Sequence, residues 1–218
     1  MRASTIYRGV YVALIAAALV LEFGFLEGRA DWYILNYYTL LSNIACLLFF
    51  AAGLKSGGFA EAWHPRAEGA ITFCIAVTGI VYAALLAPAD IAEGSFWTFE
   101  NLVVHYVGPA MVVVDWLMFS PRGRIRATDP LLWLAMPLAY FGYVLVRSTF
   151  AGPIGGSGSR FPYDFIDPAV QGGWDGVMVA VAGMMVGMTA LGYIIYGVDR
   201  VGARRRQQRL QRPRPSAR

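Results

Sequence analysis

An all-α bundle of six transmembrane helices is the fold this sequence predicts, and three observations predict it. Of 218 residues, 57% are hydrophobic and only 15% are charged, with a mean hydropathy of +0.51. The apolar residues fall in runs about twenty long, the length at which a helix crosses a hydrocarbon core of roughly 30 Å. The loops between the runs carry cations mostly on alternate sides, as in a polytopic membrane protein. No segment outside the runs is long enough to bury a core of its own, so residues 1–200 read as one membrane domain.

Taken in order, the spans are expected at about 6–26, 32–54, 69–88, 101–119, 130–151 and 176–198. The first follows Arg2 and Arg8 and runs through Phe23, Phe25 and Leu26 without a small-x-small cleavage site, so it is kept as a span. With the N-terminus inside, the 18 cations divide 15 to 3, only Arg29, Arg147 and Arg160 lying outside. Both termini are therefore expected in the cytoplasm. The outer loops are acidic, through Asp90, Glu93, Glu100, Asp164, Asp167 and Asp175.

The loop after the fifth span is the longest. Its first half, 152–160, is rich in glycine and serine and reads as flexible; its second, 161–168, mixes aromatic and acidic residues and reads as a lid packed over the bundle. Residues 201–218 are rich in arginine, glutamine and proline and read as a disordered basic tail resting on anionic headgroups. Cys46 and Cys74 both fall in spans, without the clustering of a zinc site or disulfide framework, and read as small buried residues. No metal or nucleotide motif occurs, no cofactor is expected, and the basic tail is read as a topology signal rather than a nucleic-acid site.

The chemistry-bearing residues are few. His105 is one of two histidines and lies inside a span, where an ionisable group is costly and calls for a partner. The other, His64, sits in a polar loop beside Pro65 and reads as structural. In the second span Asn36, Thr39 and Asn43 are spaced three and four apart and form one polar stripe on a helix. In the fourth, Asn101, His105, Gly108, Val112 and Asp115 share a face, with Gly108 small enough to admit a neighbouring helix. Counting from the outer ends places Thr39 about 10 Å deep and His105 about 6 Å, within one turn of the same level. Glu22, Arg147 and, if the lid folds back, Tyr163 and Asp167 belong to the same layer. Asp115 lies well below it and is expected to pair with Arg122 to Arg126 or to cap a neighbour.

The order of these elements resembles a known family. Tyr38, Thr39, Ser42 and Asn43 form a Tyr-Thr-x-x-Ser-Asn element; Asn101, His105 and Pro109 form Asn-x-x-x-His-x-x-x-Pro; Asp115-Trp116 and a Tyr-x-Phe-x-Asp element at Tyr163, Phe165 and Asp167 follow. The pattern is similar to the bacterial branch of the androgen-induced-protein-like family. Its animal members are multi-span threonine hydrolases that cleave fatty acid esters of hydroxy fatty acids. The resemblance implies that Thr39 and His105 are the catalytic pair. Asp164 stands where the family usually has proline, and the Gly/Ser insert lengthens the lid, departures that bear on substrate more than on chemistry.

The expected activity is hydrolysis of a fatty acid ester drawn from the membrane, Thr39 attacking the carbonyl while His105 takes its proton. Asp167, Glu22 and Asn101 are the candidates to orient the imidazole, and Asn36, Ser42 and Asn43 those to stabilise the oxyanion. Arg147 is positioned to hold a fatty acid carboxylate. Two alternatives stand beside it: a proton-coupled transporter or channel using His105, Glu22 and Asp115, and a non-catalytic lipid-binding protein.

Overall fold

The computed structural model describes residues 3–55, 65–155 and 157–211; His64 lies outside them. Among the described residues all regular structure is helical, and six helices are long and apolar enough to cross a membrane. They are α1 (Ala3–Glu22), α2 (Tyr38–Lys55), α3 (Arg66–Glu93), α4 (Phe99–Phe119), α5 (Asp129–Phe150) and α6, which continues from Trp174 to Gln211. The chain is an integral membrane protein of the predicted fold class.

The span ends differ from those read in the sequence, each for a local reason. The first helix stops at Glu22, short of residue 26, because Gly24 turns the chain at φ 68°, a left-handed conformation open to glycine. Residues Trp32–Asn36 form a separate short turn, and Tyr37 is extended, so α2 begins only at Tyr38. Thr98 starts α4 by accepting the Asn101 N–H on its hydroxyl. Residues 201–211 of the expected disordered tail are helical. Arginine and glutamine sustain a helix well, and the first proline comes only at Pro213.

Four helices make the first core. Tyr11, Ile15 and Ala18 of α1 meet Cys46 and Phe50 of α2, Ile75 of α3, and Val104 and Val112 of α4, all nearly inaccessible. A second core sets Phe73, Cys74 and Val77 of α3 against Trp116, Trp133 and Ile195. Cys46 and Cys74 are buried free thiols, as expected. Gly108 has the predicted role: a Cβ there would stand 2.7 Å from Ile15 Cδ1 and 2.8 Å from the Val103 carbonyl.

Asp115 departs from expectation. It receives two hydrogen bonds from Arg8 of α1, at 2.8 and 2.9 Å, rather than pairing with Arg122 to Arg126. Arg122 instead bonds the Trp116 and Leu117 carbonyls, terminating α4. The helix end needs acceptors satisfied there, and Arg8 is the cation that faces Asp115 across the bundle.

Two irregular stretches face each other. In α3 the turn Tyr82–Leu86 is widened into a π segment, and in α4 so is Val103–Val107. Each lies just before a proline, Pro88 and Pro109, whose missing N–H leaves the carbonyl four residues back without its helical donor. Gly79 makes room for this: its missing Cβ would lie 3.2 Å from the His105 carbonyl and 3.2 Å from Pro109 Cβ.

Candidate functional site

Thr39 and His105 meet. Thr39 is the second residue of α2 rather than a residue deep within a span, and its Oγ1 lies 3.3 Å from His105 Nε2. The sequence argument placed both at one level from the wrong starting point for α2, yet the pairing holds. His105 Nδ1 lies 3.1 Å from the Asn101 main-chain carbonyl. A carbonyl only accepts, so Nδ1 carries the proton, and in the neutral ring Nε2 presents its lone pair to the Thr39 hydroxyl. Of the three candidate orienters it is thus Asn101 that acts, through its backbone.

The imidazole plane is held by a residue that the sequence reading did not single out. Tyr82 stacks on His105 with centroids 3.7 Å apart and planes 15° from parallel. Its hydroxyl donates to Asp90 Oδ2 at 2.6 Å and accepts from Asn101 Nδ2 at 2.6 Å. Asn101 therefore fixes the ring twice, by its carbonyl on Nδ1 and by its amide on the residue stacked above. Both Tyr82 and His105 sit in the π segments, so the signal in the sequence was the pair of prolines that follow them.

Tyr82→Phe keeps the stacking ring and removes the hydroxyl that two neighbours hold. A hydrogen bond of this kind contributes about 0.5–1.5 kcal/mol. The variant should therefore lose about 0.5–1.5 kcal/mol of stability per bond, measured by SDS titration in mixed micelles.

The other predicted residues divide. Tyr163 comes to the pair: it lines the same cavity as Thr39, and Thr39 and the first amides of α2, at Tyr38 and Thr39, act on its hydroxyl as donors. Burial pushes its phenol up to about 12, those donors offsetting part of the effect, so it stays protonated at neutral pH. Ser42 and Asn43 lie below Thr39 but turn their donors to helix carbonyls. Ser42 Oγ bonds the Thr39 carbonyl and meets Thr78 Oγ1, while Asn43 Nδ2 spans the carbonyls of Thr39 and Val104. They brace α2 against α3 and α4 and leave no proton for an oxyanion.

Asn36 is off the Thr39 stripe because extended Tyr37 breaks the helix between them. It binds α5 instead, accepting the hydroxyls of Tyr140 and Tyr143 at 2.8 Å each. Asp167 shapes the lid, accepting Ser159 Oγ at 2.6 Å and the Ala169 N–H at 2.8 Å; it does not reach His105. Arg147 donates to the carbonyls of Gly152 and Arg160, tying down the base of the lid. Glu22 is within electrostatic range of Glu100 and Asp90 and does not line the cavity beside Thr39.

The lid packs as expected. Ile154 and Ile166 are buried, and Tyr163 stacks on Phe165 and meets the rings of Tyr37 and Tyr140. Even the Gly/Ser half is anchored, since Ile154 donates to the Ser159 carbonyl and Gly155 lies against Tyr33. Beneath the lid is an apolar cavity of about 70 Å³. Thr39, Tyr82 and Tyr163 stand at one part of its wall, and Val77, Phe141 and Met188 are among the residues that carry it between α3, α5 and α6. Among the described residues, no group of three or more His, Cys, Asp or Glu is arranged to hold a metal ion. No protein-family model, curated protein or solved structure matches this chain, leaving the geometry of the site itself as the ground for a functional reading.

Proposed function

We propose that this protein is a membrane-embedded ester hydrolase that cleaves long-chain fatty acyl esters, with Thr39 as nucleophile and His105 as base. The observation that carries the reading is the hydroxyl–imidazole contact at 3.3 Å, its acceptor nitrogen selected by the Asn101 carbonyl, with Thr39 on the wall of an apolar cavity. The resemblance to the androgen-induced-protein-like hydrolases points to the same pair.

In this mechanism Nε2 of His105 takes the Thr39 proton as Oγ1 bonds to the ester carbonyl carbon. The oxyanion receives the Tyr163 hydroxyl and the first amides of α2, which replace Asn36, Ser42 and Asn43 in that role. Collapse breaks the carbon–oxygen bond to the alcohol, which leaves with the proton held by His105. Water, deprotonated by the same nitrogen, then attacks the acyl-threonine; Thr39 regains a proton and the fatty acid departs. On this reading the site lies at the outer face of a bacterial inner membrane, both termini being cytoplasmic.

The transport alternative is weaker on one observation. The buried apolar side chains of Ile15, Val104 and Val112 lie between His105 and Asp115, interrupting a relay across the bundle.

The test is turnover of a fatty acid ester of a hydroxy fatty acid by the detergent-purified protein, with a fluorophosphonate probe and peptide mapping alongside. Release of free fatty acid together with a probe adduct on Thr39 is the expected result. A folded protein that neither releases fatty acid nor takes up the probe would refute the reading.

A further inference from the structure

The cavity beside Thr39 holds about 70 Å³, too little for a long acyl chain. A far larger space, about 610 Å³, opens on the other side of His105 as a groove between α3, α4 and α6. It exists because short side chains meet there. Gly79 lets α3 lie against the His105 carbonyl and Pro109, and Ala83 and Ala110, both exposed, leave the trough above them open. Ile194 and Val198 of α6 form the far wall.

Its place and its shape say what covers it. Every residue lining the groove belongs to one of three membrane-crossing helices, and no Asp, Glu, Lys or Arg is among them. Its surroundings are therefore hydrocarbon. From His105 to Leu117 the groove follows α4 for roughly 18 Å. Spread over that length, 610 Å³ is a channel about 7 Å wide, whereas a helix with its side chains needs about 10–12 Å. A single acyl chain fits lengthwise, and a neighbouring helix does not.

The two ends differ in polarity. His105 and Tyr106 stand at the outer end. Toward the inner end the Thr72 hydroxyl is already engaged with the Glu68 carbonyl at 2.8 Å, and Leu117 and Val198 close the groove. A lipid with one polar end lies with that end outward. His105 borders the groove and also stands 3.3 Å from Thr39, so the polar end of such a lipid arrives at the pair.

We propose that this groove is the acyl-chain site: a long-chain fatty acyl ester enters it sideways from the bilayer, its chain along α4 toward Leu117 and its ester end at His105. Cleavage of the bound ester rests on the hydrolase reading; the binding does not. Lipid tails are as apolar as the groove, so packing and the polar end decide the fit.

The test uses the hexadecyl ether of a hydroxy fatty acid, which has no scissile ester. A photoreactive diazirine is placed either beside the ether oxygen or at the far end of the hexadecyl chain. Full-length protein in phosphatidylcholine nanodiscs is irradiated with each probe, with and without excess unlabelled ether, and adducts are mapped by peptide mass spectrometry. Adducts that the excess suppresses are expected near Ala83 and Tyr106 for the first probe, and near Leu117 and Val198 for the second. Labelling that the excess does not reduce, that spreads alike over all six helices, or that maps identically for both probes overturns the site. Ala110→Trp should fill the groove and lower the suppressible labelling at least about tenfold. Val179→Trp, on an exposed part of α6 outside the groove, should leave it unchanged. Full labelling of folded Ala110→Trp overturns the proposal, as does a native mass spectrum showing a dimer that this substitution separates, which would give the groove to a second copy of the chain. With the ester itself, Ala110→Trp should raise KM at least about tenfold. If wild type cleaves no ester, the hydrolase reading fails alone and the photolabelling still decides the groove.

Discussion

Thr39→Ala is expected to abolish measurable ester turnover, a fall in kcat of at least about 10³-fold, and His105→Ala to lower it by about 10²–10⁴-fold. The reason is geometric. A threonine hydroxyl is a weak nucleophile until a base takes its proton, and the only imidazole among the described residues stands 3.3 Å away with its acceptor nitrogen turned toward it. Residues that act as one unit do not add, so the double variant should be no slower than the worse of the two single variants. Thr39→Ser, which retains the hydroxyl, should recover part of the rate. The Thr39 changes should not disturb the fold: the α2 bracing bonds run to the Thr39 carbonyl, which those variants keep. Steady-state kinetics on detergent-purified protein, with a circular dichroism melt for each variant, checks the set. Wild-type turnover by Thr39→Ala would remove the nucleophile assignment.

The contact between Thr39 and His105 was legible because membrane burial makes polar residues scarce. With one histidine among the spans and one conspicuous polar stripe on α2, few pairings were available. The supporting residues were harder to read for particular reasons. Asn36 left the stripe because helix periodicity was extended through Tyr37, which is not helical. Ser42 and Asn43 looked like free donors, but a sequence does not show that helix carbonyls consume them. Tyr82 was hidden among many span-end aromatics, and its stacking on His105 depends on two π turns facing each other. Pro88 and Pro109 were visible as the disturbance, though not its outcome. Tyr163 was anticipated from the lid, and its approach to Thr39 follows from burying the ring between Tyr37 and Tyr140.

Arg8 and Asp115 were each seen, but their partnership crosses the bundle, joining residues 107 apart in the chain. Asp115→Ala should therefore destabilise the protein heavily, by about 3–5 kcal/mol, because it strips a buried guanidinium of its bidentate acceptor. Both side chains are nearly inaccessible, at 6% and 1% exposure. Glu68 is no full substitute: it stands 3.7 Å from Arg8 and already accepts the Ser120 hydroxyl at 2.5 Å. The double replacement Arg8→Met/Asp115→Leu should recover most of that loss, since an apolar pair of similar volume has no charge to desolvate. Unfolding by SDS titration in mixed micelles measures both. The pair also separates stability from chemistry. Asp115 lies about ten residues, roughly 15 Å, along α4 from His105, with Val112 buried between them. The activity per folded molecule of Asp115→Ala should stay near that of wild type at low temperature, while Thr39→Ala loses activity at unchanged stability. A fall in specific activity matching the stability loss would mean that the ionic end of the bundle helps set the geometry of the dyad.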